Sequence, residues 1–118
     1  SGMPGVQTLL PLMLDHLAAG KLSVAKLVYL TSYRARSLFG LREKGEVAIG
    51  NHADLTFVDL AATRIIEEDW LASRCGWSPF TGKTIHGWPV GTMVRGQRVM
   101  WDAILETPET GQPIAFDL

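Results

Sequence analysis

The segment LFGLREKGEVAIGNHADLTFVDL, residues 38–60, is where the chain changes character. Up to Gly40 the apolar residues recur at helical spacing. Beyond Lys44, strand-type residues gather on either side of Gly50-Asn51, a turn signal. Helices first and strands afterwards is the order of an α+β fold, or of pieces of two domains.

Working upstream, Val6, Leu9, Leu10, Met13, Leu14 and Leu17 fall at i, i+3, i+4 spacing. Pro11 is tolerable near a helix start, where amides lack intrahelical partners, so the pattern predicts a helix beginning near Thr8. Gly20 is a stop signal. Ser23 is placed to cap VAKLVYLT and Ser32 to cap YRARSLF, which ends at Gly40. The first forty or so residues therefore read as short helices.

Downstream, residues 46–60 read as two strand-type arms around Gly50-Asn51, and TRIIEE (63–68) as a further short candidate. GTMVRGQRVMWDAIL (91–105) reads as a hairpin turning at Arg95-Gly96, with Met93, Val94, Val99, Met100 and Trp101 in its arms. LASRCGWSPFTGKTIHGWP (71–89), rich in glycine, proline and aromatics, reads as an ordered loop.

Composition narrows the function classes. The chain has 118 residues, enough for one core, and 47% of them are hydrophobic, which excludes a disordered segment. A formal net charge of −1 provides no basic footprint for nucleic acid. No apolar run is long enough to span a membrane and no like-charge block is present to attract one. Cys75 is the only cysteine, so the chain forms no internal disulfide, which is compatible with a cytoplasmic protein.

Chemistry-bearing residues are sparse. His16, His52 and His86 stand in no HxH or HExxH pattern, so a zinc site built by this chain alone is not expected. His16 falls on the polar side of the first helix, His52 in a turn, and His86 among turn and strand residues. Glu67 to Asp69 reads as a solvated stretch. Asp54 and Asp59, five apart on a strand, would face opposite ways and cannot act as one acid/base pair. Cys75, without a histidine or second cysteine beside it, reads as a structural thiol. The glycines build no phosphate-cradling loop. No catalytic residue and no metal ligand is expected in this chain.

Four stretches together resemble a known family. KGEVAIGNHADLTFVDL (44–60) is similar to the segment of cyclic amidohydrolases where the chain leaves the metal-binding barrel for a small β-sandwich, and GWPVGTMVRGQRVMW (87–101) to the returning hairpin of that sandwich. SGMPGVQTLLPLML (1–14) and SRCGWSPFTGKTIHGWPV (73–90) resemble the dihydroorotases of bacterial type, the zinc enzymes that interconvert carbamoyl aspartate and dihydroorotate in pyrimidine synthesis. Allantoinases and hydantoinases, and non-catalytic dihydroorotase-like subunits, are the neighbouring alternatives.

The resemblance implies a C-terminal fragment of a longer enzyme. Residues 1–42 would be the last helices of its (β/α)8 barrel and residues 43–118 part of the composite β-sandwich. The zinc ligands would lie upstream, so no cofactor is expected in this segment and zinc in the full-length parent. Ser1 and Gly2 match the two residues whose backbone contacts the substrate in the family. Backbone amides can hold a ligand carboxylate without a special side chain. The partners implied are the remainder of the parent enzyme or a second copy, with a small-molecule substrate only in the full-length protein. Two positions depart from the family pattern: Gln7 stands where glutamate is common, and Arg34 where proline is frequent.

Overall fold

The structure is a computed structural model describing residues 2–106 and 111–117. Its architecture is α+β. Helices α1 (Val6–Ala18), α2 (Val24–Val28) and α3 (Arg34–Phe39) precede strands β1 (Leu55–Ile65), β2 (Thr84–Val94), β3 (Gln97–Trp101) and β4 (Ile104–Leu105). The sheet order is β1-β2-β3-β4, and the β2–β3 and β3–β4 pairs are antiparallel. The chain divides into two compact units, one of Ser1–Lys21 with Val58–Pro89 and one of Leu22–Phe57 with Val90–Leu118.

In the first unit, α1 starts at Val6, two residues before the predicted Thr8, because the Gly5 carbonyl accepts the Leu9 N–H at 3.0 Å. Pro11 therefore lies inside the helix, where its missing N–H leaves one ladder bond unmade. Its ring is buried with Thr8 and Leu14, at i, i+3, i+6 spacing, while Val6 and Leu9 are exposed. The buried set is completed by Ile66, Ile85 and Trp88, and Trp70 packs on Trp88 with ring centroids 4.8 Å apart. Burying aliphatic side chains of this size stabilises by about 2 kcal/mol each. Leu14 comes so close to β2 that a Cβ on Gly87 would lie 3.1 Å from its own Cβ; Gly87 also has φ +87°, so only glycine fits there.

In the second unit, the Ser23 hydroxyl accepts the Lys26 N–H at 3.1 Å, which is the predicted cap. The Ser32 cap does not form. Tyr29–Tyr33 is a π-helical stretch that carries α2 straight into α3, so Ser32 sits inside a continuous helical run. The Thr31 hydroxyl donates back to the Leu27 carbonyl at 2.9 Å in that stretch. Gly40 ends the run in the left-handed conformation, φ +60°. The predicted β2–β3 hairpin is present, with Val94 opposite Gln97 and both Arg95 and Gly96 at positive φ.

Three expectations for the strand half are corrected as well. Residues 46–54 form no strand: Glu43 and Gly45 adopt positive φ, Glu46 is drawn into an ion pair with Arg36, and Val47 and Ile49 stay exposed. The turn at Gly50-Asn51 is real, closed by the Asn51 N–H on the Ala48 carbonyl at 3.1 Å. TRIIEE is not a separate strand, since β1 runs unbroken to Ile65 with no turn residue to interrupt it. Finally, Thr84–Pro89 belongs to β2 rather than to the loop, because Ile85, Gly87 and Trp88 turn into the buried set.

Candidate functional site

Gly2 is exposed, with φ +116° and nothing within 4 Å of where a Cβ would lie. Glycine is needed there for the backbone conformation, not for space. Ser1 lies outside the described residues. Gly2 belongs to a short loop that enters α1 at Gly5, whose carbonyl also takes the Thr8 hydroxyl at 3.3 Å.

A second cluster joins α1 to β2. Asp15 Oδ1 accepts the backbone N–H of His86 at 3.0 Å and lies 3.0 Å from its Nδ1, and Oδ2 lies 3.4 Å from Lys83 Nζ. Hydrogen bonding from the His86 ring and backbone, with Lys83 adding to it, holds the Asp15 carboxyl down to about 2. No local pattern in the sequence announces Asp15, because its partner His86 lies 71 residues away. Its geometry is that of a structural clasp.

Cys75 is exposed, which corrects its reading as a structural thiol. Its Sγ lies 3.0 Å from Ser73 Oγ, and that hydroxyl pulls the thiol below its ordinary range. His16 is exposed on α1, as expected.

In the second unit, His52 Nε2 lies 3.2 Å from Glu43 Oε2, and Lys44 pairs with Asp54. The Lys44 ammonium lowers the Asp54 carboxyl, as does the Arg95 N–H, which Asp54 accepts at 2.7 Å. Asp54 thus joins the loop before β1 to the hairpin turn, while Asp59, on β1, accepts the Ala61 N–H at 2.9 Å. Neither carboxylate serves the other. A cleft of about 660 Å³ beside α3 is lined by Tyr33, Arg36, Arg42, Glu43, Asn51 and Asp117, among others. Its charges neutralise each other in the Arg36–Glu46 and Arg42–Asp117 pairs, the latter at 3.6 Å.

Among the described residues no three of His, Cys, Asp or Glu come together as a metal-holding group. The donors among the described residues therefore do not fit a catalytic zinc centre, which needs about three protein ligands converging on the ion. No helix among the described residues is long and apolar enough to cross a membrane.

Residues 6–99 match the amidohydrolase family, and the chain belongs to it. Within that family it is 43% identical over 102 residues to a dihydroorotase of Halobacterium salinarum, covering 86% of this chain and 24% of that protein. It is 37% identical over 98 residues to an L-hydantoinase of Paenarthrobacter aurescens, covering 81% of this chain and 21% of that protein. Among solved structures, it superposes on the L-hydantoinase (dihydropyrimidinase) from Arthrobacter aurescens with a TM-score of 0.86 at 34% identity, over 91% of this chain and 24% of that one. The D-hydantoinase (dihydropyrimidinase) from a Thermus species gives 0.82 at 26% identity, over 92% and 24%. The chain thus spans about a quarter of the length of the relatives it matches.

Proposed function

We propose that this chain is the part of a dihydroorotase-type cyclic amide hydrolase that supplies the substrate-contacting backbone of Ser1 and Gly2, the parent interconverting N-carbamoyl-aspartate and dihydroorotate in pyrimidine synthesis. The observation that carries the reading is the 43% identity to a dihydroorotase along 86% of the chain. In this reading residues 1–42 close the parent's barrel, residues 43–118 belong to its sandwich, and the parent is cytoplasmic. Zinc, when bound by the parent, supplies the activated water for amide hydrolysis, and its ligands come from outside these residues. Gly2 contributes a backbone donor to a substrate carboxylate, which needs no side chain and no proton transfer. The isolated chain is inactive, and its partner is the remainder of the parent or a second copy.

A hydantoinase reading is favoured by the TM-score of 0.86 to an L-hydantoinase. Assaying the full-length parent on dihydroorotate and on a substituted hydantoin separates the two. Turnover of dihydroorotate at the higher kcat/KM is the expected result. Preference for the hydantoin replaces the reading with the second one, and turnover of neither identifies a non-catalytic subunit.

A further inference from the structure

Gln7 makes a two-way contact with a distant piece of backbone in the same unit. Its Nε2 donates to the Trp70 carbonyl at 2.8 Å, and its Oε1 accepts the Ala72 N–H at 2.9 Å. A carboxamide is the side chain that offers one donor and one acceptor side by side, and these partners use both. They also fix which end is nitrogen, since a carbonyl needs a donor and an N–H an acceptor. Gln7 lies in the first turn of α1, two residues past Gly5, where the Gly2–Gly5 loop joins the helix. On the other side, Trp70 packs on Trp88, a buried residue of β2. The loop entrance is thereby tied to the best-packed part of its unit.

We infer that Gln7 is a positioning residue: its carboxamide locks the entrance of the Gly2–Gly5 loop to Trp70–Ala72, and so presents the backbone donor of Gly2 in a fixed geometry to a substrate carboxylate. This rests on the substrate-contacting role proposed above for Gly2. The clamp is specific to an amide. An ionised carboxylate in its place would still accept from Ala72 but would set a second acceptor against the Trp70 carbonyl, leaving that oxygen without its donor. A protonated carboxyl would restore the donor.

The test uses Gln7→Ala and Gln7→Glu. In the 118-residue chain, amide hydrogen exchange at Ala72 is compared with wild type at each pH. Gln7→Ala should lose about tenfold in protection at every pH. Gln7→Glu should match it at pH ~7 but approach wild type below pH ~4, where a carboxyl of ordinary pKa takes up its proton. In the full-length parent, Gln7→Ala should raise KM severalfold while kcat stays within about twofold, the pattern of lost ground-state and transition-state binding alike. Unchanged protection in Gln7→Ala, or a pH-independent Gln7→Glu, overturns the clamp. Lost protection with an unchanged KM, on whichever cyclic amide the parent hydrolyses, overturns the positioning role. A parent that hydrolyses no cyclic amide overturns the proposed function and the positioning role together, and the exchange result then still decides the clamp by itself.

Discussion

The indole of Trp101 lies across the backbone of Gly91, its partner in the β2–β3 ladder: a Cβ on Gly91 would sit 2.4 Å from both Cε3 and Cζ3 of the ring. Phe57 meets the same indole edge-on at 5.5 Å, and the Arg98 guanidinium lies 5.4 Å from its centre. Glycine is required at position 91 by this close approach rather than by its backbone angles.

Gly91→Ala must therefore push the indole off the sheet. The expected loss is about 1–3 kcal/mol of unfolding free energy, the usual cost of overpacking. Urea denaturation followed by tryptophan fluorescence measures it, with a red-shifted native spectrum as the indole becomes wetter. Gly111→Ala, where nothing lies within 4 Å, is the control and should change stability by less than about 0.5 kcal/mol.

The Asp15 clasp carries a pH dependence of definite sign. Its folded-state pKa, about 2, lies below the ordinary 3.8 because His86 and Lys83 favour the ionised carboxylate. A depressed folded pKa means stability that is fully present above the unfolded value and drains away as pH falls through about 2. Asp15→Asn keeps one acceptor for the His86 N–H but loses the charge, so it should cost about 1 kcal/mol at pH ~7. The gap from wild type should close as pH falls toward 2. Chemical denaturation at a series of pH values reads this directly, and a gap of constant size would refute it.

The helical run of the second unit leaves Val24, Val28, Tyr29, Tyr33, Leu38 and Phe39 exposed. Exposed large apolar side chains in this number favour association. The isolated chain should scatter light at micromolar concentration as a species heavier than its 12.9 kDa and bind a hydrophobic dye. The double substitution Leu38→Lys and Phe39→Lys should lower both signals. A monomer without dye binding would contradict the expectation.

What the sequence made legible was local. The Arg95-Gly96 hairpin and the Ser23 cap each depend on a residue whose own chemistry selects the conformation, within three residues of its partner. The second tight turn, at Asp102-Ala103, was not legible, because both residues adopt positive φ, 46° and 65°, without a glycine to mark it. The continuity of α2 with α3 was hidden by Ser32, a good cap residue that the π-helical stretch absorbs. The Asp15–His86 clasp and the Gln7 clamp were hidden for a different reason. Each joins α1 to a segment more than sixty residues away, through side-chain contacts that leave no periodic trace. The substrate role proposed for the glycine loop rests on family resemblance alone.

The last expectation concerns activity. If the zinc ligands lie outside this chain, the isolated protein should neither hold a catalytic zinc nor turn over carbamoyl aspartate or dihydroorotate. The geometry that motivates this is the separation of its donors: His86 is engaged with Asp15, His52 with Glu43, and His16 stands exposed on α1. No third donor joins any of them among the described residues. Without such a centre, bulk water is a far weaker acid than metal-bound water, and hydroxide is too scarce at neutral pH to attack an amide. In the full-length parent, His52→Ala and His86→Ala should leave kcat within about twofold. His86→Ala should also lower the melting temperature by several degrees, since the Asp15 clasp loses its ring partner. Metal analysis of the purified chain, with hydrolysis measured against a protein-free control, decides the first half. One tightly held zinc per chain, together with turnover, would show that these residues assemble a centre of their own and would remove the reading of this chain as part of a larger enzyme's site.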